Sequence, residues 1–392
     1  MNDETYIKEL EKCVRCGSCK AFCPTYDEDS IESMGARGRL SLLLGLSSGR
    51  LAPSQILNDR IFSCTLCGAC ARLCPLGVDI KELIYHGRNV LRKSDLKRRH
   101  LRILTKFFVK RPKLSFRLLS ISRNITLPLL LRTGLLPFKP ELPDRQLRDS
   151  VHVVNVHNKK GRVAIFTGCS INFIYPHLGE SLINVLNVLG YEVILPAGEF
   201  CCGAPLRTLG LEDEAISCAE KNYDLFSKLN VEAVLSLCPT CTLTLKKEYP
   251  KLIGRGIDHA LDISEFFIGR LDQFSSSDLS AFIRNAVYHD PCHLQYGLGI
   301  KKEPREIIKS AGVDLLDTDG EFCCGFAGLF CFSNKELSKG LLSKCSLEYE
   351  KINAAAIITS CPGCILQLSR EIRNKPVLHL IEVIEEAILQ KS

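Results

Sequence analysis

A run of four cysteines is written twice near the start of this chain. The copies are Cys13-x2-Cys16-x2-Cys19-x3-Cys23 and Cys64-x2-Cys67-x2-Cys70-x3-Cys74, and a proline follows each copy. Three thiolates at this spacing lie on one tight loop and fit three corners of a cubic iron–sulfur cluster. The run therefore predicts two loops that each wrap around a metal centre.

The spacing and the trailing proline are those of bacterial ferredoxins with [4Fe–4S] clusters, in which the fourth cysteine ligates the other cluster. The predicted ligand sets are therefore crossed. One set is Cys13, Cys16, Cys19 and Cys74, and the other is Cys64, Cys67, Cys70 and Cys23. Zinc is the alternative, since Cys-x2-Cys pairs also build zinc sites. A zinc site needs two such pairs, whereas this run has four cysteines in an asymmetric order.

Length and cysteine usage restrict the class of protein. The chain has 392 residues and 21 cysteines, and it begins with the polar sequence MNDETYIKEL. The length predicts two to three domains. Disulfide frameworks belong to small secreted chains, so we expect metal ligation in a reducing compartment. No stretch reaches the roughly 18 uninterrupted apolar residues of a spanning helix. The prediction is a cytoplasmic protein, soluble or peripheral on the inner face of the cell membrane.

Positive charge is concentrated in one segment. The net charge is +7, but residues 88–148 alone hold 17 Lys and Arg against 3 Asp and Glu. An apolar stripe runs through this segment with basic residues around it: Leu101, Leu104, Phe107 and Phe108, beside Arg98, Arg102, Lys106 and Lys110. The segment is either a helical linker with a solvated charged face or a basic amphipathic surface for an anionic membrane or an acidic partner. It carries no nucleic-acid-binding motif, so nucleic acid is not expected.

A second repeat fills the chain after residue 155. Its first unit contains five cysteines, which we call the first CCG site: Cys169, Cys201, Cys202, Cys238 and Cys241. Its second unit contains the second CCG site: Cys292, Cys323, Cys324, Cys361 and Cys364. The offsets between corresponding cysteines are 122 or 123 residues, which indicates a duplicated domain.

Each unit has the pattern of an α/β domain. The predicted strands are 162–167, 191–195 and 233–237 in the first unit, and 286–288, 313–316 and 355–359 in the second. The predicted helices are 176–189, 211–229, 303–311 and 335–351. Alternating strands and helices favour parallel sheets, and open α/β sheets bind ligands at the carboxyl ends of strands, where these cysteines fall. Five thiolates suit an iron–sulfur cluster or zinc. Gly203 and Gly325 are expected where the backbone turns closely around the metal.

These residues resemble a known family. The five-cysteine units look like the cysteine-rich CCG domain, which occurs in pairs in heterodisulfide reductase. The pair with two ferredoxin motifs in front resembles the iron–sulfur subunits of glycolate oxidase and anaerobic glycerol-3-phosphate dehydrogenase. The segments that carry the resemblance are 13–25, 36–39, 288–293, 323–328 and 362–364. The resemblance implies an α+β multidomain chain, with an α-helical two-cluster ferredoxin domain and a duplicated α/β CCG domain.

The implied domains are 1–90 (ferredoxin), 91–154 (basic linker), 155–275 and 276–392 (CCG). The ferredoxin domain is expected to be helical, with helices at 37–46 and 53–62 and Ser54 as a cap. The resemblance implies two cubane clusters, and further iron–sulfur clusters, of non-cubane type, or zinc in the CCG sites. Cys361 completes the second set as in heterodisulfide reductase, although glycolate-oxidase-type subunits often lack this cysteine.

Two functions follow from the resemblance. The first is electron transfer in a complex that oxidises a glycolate- or lactate-like 2-hydroxy acid, with FAD on a partner dehydrogenase subunit and quinone or another acceptor beyond. Residues 91–150 would dock the complex at the membrane. The second is reduction of a disulfide at a CCG cluster, whose cysteines are then the candidate catalytic residues. A carrier without chemistry of its own is a third alternative.

Further side chains have open roles. Cys218, Cys331 and Cys345 are expected to be buried free thiols. His289 and His293 flank Cys292, either as ordinary hydrogen-bonding residues or as groups that support the metal ligands. For Arg37 and Arg39, near the first cluster, the alternatives are a solvated face and a role in tuning the cluster or binding a partner.

Overall fold

The computed structural model describes residues 3–121, 123–132, 143, 145–150, 159–273, 283–318 and 320–389. Its N-terminal part is helical, and two four-stranded sheets with surrounding helices follow. This arrangement confirms the predicted fold class. The domain bounds stay predictions, since the boundaries expected at 154 and 275 fall outside the described residues.

The N-terminal part is a cluster of short helices. They are α1 (Asp3–Glu11), α2 (Pro24–Asp29), α3 (Ala36–Ser47), α4 (Gln55–Phe62), α5 (Ala69–Arg72) and α6 (Ile80–Leu91), with 3-10 turns at Ser18–Lys20 and Glu32–Met34. The two helices expected from periodicity are confirmed as α3 and α4. The Ser54 side chain accepts the Leu57 N–H at 3.2 Å and so caps α4 as predicted. Leu43, Ile61 and Leu83 from three of these helices are fully buried in one core.

The basic segment forms short helices, and three of them contact the first α/β unit. They are α7 (Arg99–Lys110), α8 (Pro112–Ile121), α9 (Arg123–Arg132) and α10 (Leu147–Ser150). The prediction that the whole charged face is solvated is wrong, because Arg98 and Arg102 are buried and both pair with Asp95. Leu104 and Phe107 are instead 55% and 40% exposed. Part of the predicted apolar stripe therefore faces outwards, while two arginines face the protein.

The first α/β unit is a four-stranded parallel sheet. Its strands are β1 (Gly161–Ile165), β2 (Tyr191–Ile194), β3 (Ala233–Ser236) and β4 (Ala260–Asp262), in the order β2-β1-β3-β4. Its helices are α11 (Gly168–Phe173), α12 (Pro176–Val188), α13 (Ala204–Thr208), α14 (Glu212–Phe226), α15 (Pro239–Leu243), α16 (Tyr249–Ile253) and α17 (Ile263–Phe267), with a π-helical turn at Thr244–Glu248 and a kinked 3-10 segment at Ile268–Gln273. The three predicted strands are present, and β4 was not predicted.

The second α/β unit repeats the first. Its strands are β5 (Asn285–His289), β6 (Asp314–Leu316), β7 (Ala356–Thr359) and β8 (Val377–His379), all parallel in the order β6-β5-β7-β8. Its helices are α18 (Glu303–Ser310), α19 (Phe330–Ser333), α20 (Lys335–Lys351), α21 (Pro362–Leu368) and α22 (Leu380–Leu389), with a π-helical turn at His293–Leu298. The shared strand order confirms the duplication that the cysteine offsets predicted.

The two α/β units share one hydrophobic core. It contains Leu182 and Leu186 of α12 together with Ile384 and Ile388 of α22. His379 also donates from Nε2 to the Leu237 carbonyl at 3.0 Å, across the boundary between the units. This contact brings the carboxyl ends of both sheets, and therefore both CCG sites, to the same part of the molecule.

Candidate metal centres

The two ferredoxin-type loops have the same backbone shape. Arg15 and Gly17 of the first loop have φ of 59° and 92°, and Leu66 and Gly68 of the second loop have φ of 59° and 90°. These residues flank the second cysteine of each loop. Left-handed backbone is easy for glycine and uncommon for other residues. Its occurrence at the same positions in both copies indicates that the two loops are shaped for the same kind of group.

Cys23 joins the second loop in space. It lines one small cavity together with Cys64, Cys67 and Cys70, although three helices separate it from them along the chain. Burial raises the pKa of Cys67 to about 11 and also raises the pKa of Cys70. Four thiol groups around one cavity are a fitting donor set for an iron–sulfur cluster. This arrangement is the one that the crossed ligand set describes.

The first loop lies nearer to solvent. Cys16 is exposed, and its Sγ lies 3.5 Å from Ser18 Oγ. Hydrogen bonds from Ser18 lower the pKa of Cys16, which favours the thiolate. Cys13, Cys19 and Cys74 are partly buried. The first cluster position is therefore the one that a partner can approach, and its complete ligand set stays a prediction.

Arg39 lies between the two cysteine runs. It is 1% exposed and donates to Thr25 Oγ1 at 3.0 Å and to Ser63 Oγ at 2.9 Å. Thr25 follows Cys23 by two residues, and Ser63 precedes Cys64. A solvated face is therefore wrong for Arg39, which links the side chains of Thr25 and Ser63 beside two cysteines of the second cluster position. Arg37 donates to the Arg15 carbonyl at 2.8 Å and thus supports the first loop.

The first CCG site is built by the carboxyl ends of three strands. Cys169 lies in α11 after β1, Cys201 and Cys202 follow β2, and Cys238 and Cys241 lie at the start of α15 after β3. Hydrogen bonds from Cys201 and Cys241 lower the pKa of Cys202 to about 6. A hydrogen bond with Cys201, together with burial, raises the pKa of Cys169. All five predicted residues therefore come together, and at least one is acidified as metal binding requires.

The second CCG site has the same construction. Cys292 follows β5, Cys323 and Cys324 follow β6, and Cys361 and Cys364 lie at the start of α21 after β7. The Sγ atoms of Cys324 and Cys364 are 3.4 Å apart. The hydrogen bond with Cys364, helped by one from His289, outweighs burial and holds the pKa of Cys324 well below its usual range. These donors fit an iron–sulfur cluster or a soft metal ion.

The glycines of the two Cys-Cys-Gly loops lie in left-handed turns. Gly203 and Gly325 have φ of 92° and 75°. A Cβ at Gly325 would lie 2.5 Å from the Ser338 carbonyl oxygen, and one at Gly203 would lie 3.3 Å from that of Ala215. Both glycines therefore permit a left-handed turn against a following helix. Other glycines face thiols: a Cβ at Gly168 would lie 3.1 Å from Cys241 Sγ, and one at Gly363 would lie 3.6 Å from Cys361 Sγ.

His293 joins three of the four centres. Its Nε2 lies 3.1 Å from the Leu66 carbonyl, and its Nδ1 lies 2.8 Å from Thr240 Oγ1. Burial lowers the pKa of His293 to about 4, so the ring is neutral. The nitrogen that faces a carbonyl must carry the proton, so Nε2 donates to Leu66 and Nδ1 accepts from Thr240. Leu66 belongs to the second cluster loop, Thr240 to the first CCG site, and Cys292 of the second CCG site precedes the histidine.

Both CCG sites open into one cavity of about 1510 Å³. Cysteines of both sites line it, and Leu101, Leu104 and Phe108 of α7 border it. At the same border the ring of Phe116 of α8 stacks on that of Phe173 of α11 at 4.3 Å. The cavity is larger than a cubane needs, which leaves space for a second, apolar molecule near the cysteines.

His289 and Cys345, beside the second CCG site, both contact Tyr349, a residue that the sequence analysis did not single out. His289 is 1% exposed, and its Nδ1 lies 2.7 Å from Tyr349 Oη. One ring nitrogen of His289 and the Sγ atoms of Cys324 and Cys364 lie within 4.8 Å of one another. Cys345, expected to be an ordinary buried thiol, is buried beside Tyr349. Only the position of His289 just before Cys292 signalled a role near the metal.

Similarity to known protein families agrees with this geometry. Residues 163–246 and 286–369 match the family described as "Cysteine-rich domain" (CCG), and residues 9–78 match "4Fe-4S dicluster domain". The chain is therefore an iron–sulfur protein of the class that joins a dicluster ferredoxin domain to two CCG domains. The predicted resemblance is confirmed.

Named relatives place it more closely. It is 26% identical to the probable glycolate oxidase iron–sulfur subunit of Bacillus subtilis, over 98% of this chain and 95% of the relative. It is 25% identical to a dihydromethanophenazine:CoB–CoM heterodisulfide reductase subunit of Methanosarcina barkeri, over 97% and 95%. A hypothetical protein from Helicobacter pylori has a similar fold, with a TM-score of 0.56 and 13% identity over 99% of this chain and 77% of that one. The sequence relatives are subunits of oxidoreductases, which supports an oxidoreductase role.

Membrane crossing needs a helix that is both long and apolar. Among the residues that the structure describes, none of the helices combines the length and the apolar character that crossing a bilayer demands.

Proposed function

We propose that this chain is the electron-transfer iron–sulfur subunit of a flavin-dependent dehydrogenase complex that oxidises a glycolate- or lactate-like 2-hydroxy acid. FAD belongs to a partner dehydrogenase subunit, because Gly168-Cys-Ser is not the glycine fingerprint of a dinucleotide site. The cofactors of this chain are two [4Fe–4S] clusters at the ferredoxin loops and one or two further iron–sulfur clusters, or zinc, at the CCG sites. Bound clusters supply one-electron transfer.

The main support for this proposal is the way in which the cysteine sets lie next to one another in space. The exposed Cys16 marks one end of the series, where a flavoprotein can approach. The second ferredoxin loop lies against the second CCG site through His293, and Arg72 adds a hydrogen bond to the Gln295 carbonyl at 3.1 Å. These two contacts fix the loop that holds one cluster against the loop that holds the next. The proposed electron route therefore runs from the exposed first loop, through the second ferredoxin loop, to the CCG sites at the cavity.

The acceptor end is proposed at the cavity and the basic segment. Ile103, Leu104 and Leu118 are exposed on α7 and α8, and Lys110 and Lys113 lie beside them. An exposed apolar row with lysines suits the surface of an anionic bilayer. The same helices border the cavity at the CCG sites. A quinone dissolved in the bilayer would then reach the cavity from the membrane side, and nucleic acid is no part of the proposal.

Anaerobic purification of the native complex tests the main proposal. We expect a flavin-containing subunit to copurify, and dye reduction with glycolate or lactate. Iron above the roughly eight atoms of two cubanes is expected if the CCG sites bind clusters. A complex without a flavin subunit that reduces no dye with any 2-hydroxy acid would refute the proposal.

Disulfide reduction is the second candidate function. Two observations favour it: the complete second set with Cys361, and the opening of both CCG sites into one cavity. A relative named as a heterodisulfide reductase subunit adds support. Electron paramagnetic resonance of the oxidised protein, with and without added thiol, separates the candidates. A signal that thiol perturbs favours disulfide chemistry, and a signal that thiol leaves unchanged favours electron transfer alone.

A further inference from the structure

One buried pair of side chains behind the cysteines differs in chemistry between the two halves of the duplication. The offset of 123 residues aligns Phe166 with His289 and Phe226 with Tyr349. Strand register supports this alignment, since β1 and β3 pair with the same spacing as β5 and β7. The rings of each pair are in contact, with centroids 5.5 Å apart in the first half and 5.7 Å apart in the second. All four side chains are at most 2% exposed. A buried Phe–Phe pair in one half is therefore a buried His–Tyr pair in the other.

The His–Tyr pair is oriented towards the thiols. Nδ1 of His289 is engaged by Tyr349 Oη at 2.7 Å. The nitrogen left to face Cys324 and Cys364 is Nε2, and the imidazole and the two Sγ atoms form one compact group. Phe166 and Phe226 offer no polar atom at the corresponding place in the first CCG site. A buried ring nitrogen without a partner is costly, and the thiols of Cys324 and Cys364 are the groups within reach of the imidazole.

We propose that His289 donates its Nε2–H to the Cys324–Cys364 thiolate pair of the second CCG site, with Tyr349 as its positioning residue. This inference rests on the proposed function, because it requires an iron–sulfur cluster at that site. It adds to that function a difference between the two CCG sites, since this imidazole donor lies behind the second site and phenylalanine takes the corresponding position behind the first.

The hydrogen-bond roles follow from the chemistry of the acceptors. A metal-bound thiolate accepts hydrogen bonds and donates none, so the nitrogen facing it must carry hydrogen. In neutral imidazole the other nitrogen is then an acceptor, and Tyr349 O–H donates to it. The tyrosine hydroxyl thereby selects the tautomer. This is the arrangement by which groups behind a metal site orient the residues that touch the ligands.

The expected consequence is a higher reduction potential at the second site. Reduction adds negative charge to a cluster, and an N–H donor to its sulfur stabilises that charge. The cluster at the second site should therefore be reduced at a higher potential than it would be behind a Phe–Phe pair like that of the first half. Since this difference comes from buried side chains, it should persist at high salt, which screens surface charges only.

The test is a redox titration, followed by electron paramagnetic resonance, of the whole complex carrying H289F together with Y349F. This double variant copies a Phe–Phe pair that the chain already accommodates in its other half. We expect the ratio of oxidised to reduced cluster at the second site to rise at least tenfold at a given potential, a shift of 59 mV for a one-electron couple. H289Q, which keeps an N–H donor, should retain most of the wild-type potential. H259F is the matched control, since His259 precedes β4 at the end of the sheet away from the cysteines.

Signals are assigned with C241S for the first site and C364S for the second. The inference is overturned if the signal that depends on Cys364 titrates at the same potential in wild type and double variant. A strong ¹⁴N coupling from direct histidine ligation would overturn it as well. If no signal depends on Cys364 and only about eight irons are bound, both this inference and the cluster assignment fail. A Cys364-dependent signal with an unshifted potential contradicts this inference alone.

Discussion

Glu248 provides a quantitative test of how the ferredoxin part is attached to the first α/β unit. Its side chain is 7% exposed and pairs with Lys81 at 2.6 Å and with Arg207 at 3.6 Å. Tyr85 donates to it at 3.4 Å. Lys81 and Tyr85 belong to α6 of the ferredoxin part, whereas Arg207 and Glu248 belong to the α/β unit. The carboxylate therefore lies at the contact between the two parts.

The stabilisation that these ion pairs provide follows from the pKa of the Glu248 carboxyl group. Burial alone would raise the pKa of Glu248, but the attraction of Lys81 and Arg207 exceeds it and holds the pKa at about 2 instead of 4.5. At about 1.4 kcal/mol per tenfold change, this difference corresponds to about 3 kcal/mol of stability near neutral pH. Breaking a buried ion pair from one side costs a similar amount, about 3–5 kcal/mol. We therefore expect E248Q to lower the free energy of unfolding by about 3 kcal/mol.

Glu32 is the matched control. Its pKa is also held at about 2, by Arg37 and Lys20, but its side chain is 47% exposed. Solvent screens such a pair, so E32Q should cost at most about 1 kcal/mol. The assay is anaerobic urea unfolding of the cluster-loaded protein, followed by circular dichroism and cluster absorbance. Equal losses for E248Q and E32Q would refute the argument that burial decides the strength of these pairs.

The pKa of Glu248 also determines the direction in which its contribution to stability changes with pH. The folded-state pKa of Glu248 is depressed, so its stabilisation is fully present above 4.5 and is lost as the pH falls through 2. The difference between wild type and E248Q should thus be constant around neutral pH and shrink in acid. A difference that grows on acidification would contradict the assignment of the effect to this carboxylate.

Three further predictions concern other parts of the molecule. Burial raises the pKa of Asp262 to about 7 from 3.8, so stability should fall as the pH rises from 4 to 7 in wild type and stay flatter in D262N, as measured by thermal unfolding. C23S and C67S should abolish the same paramagnetic signal, because both cysteines line one cavity; loss of different signals would refute the crossed set. L104E should weaken binding to phosphatidylglycerol vesicles by about tenfold, since burying one such side chain is worth about 1.5–3 kcal/mol. V188E, at a residue 47% exposed on α12, is its control, and equal weakening by both would refute docking through α7.

Local patterns in the sequence predicted the elements that are defined by near neighbours. Helix α3 follows from apolar residues three to four positions apart, and strand β1 follows from a short continuous apolar run, and both patterns involve near neighbours only. Strands β4 and β8 are three residues long and were not predicted. Each becomes a strand only by pairing with β3 or β7 at the sheet edge.

The sequence by itself determined the donor atoms of the metal centres and the duplication, because thiolate spacing within a loop and a constant offset need no knowledge of the fold. Only the tertiary structure decided what surrounds these donors and that the two CCG sites share one cavity. The burial of Arg102 and the contacts of His293 join residues far apart in the chain. Such contacts depend on how helices and sheets bury their surfaces against one another, which no local pattern encodes. The same holds for the Tyr349 hydroxyl beside His289, whose meaning appears only when the two folded halves are compared.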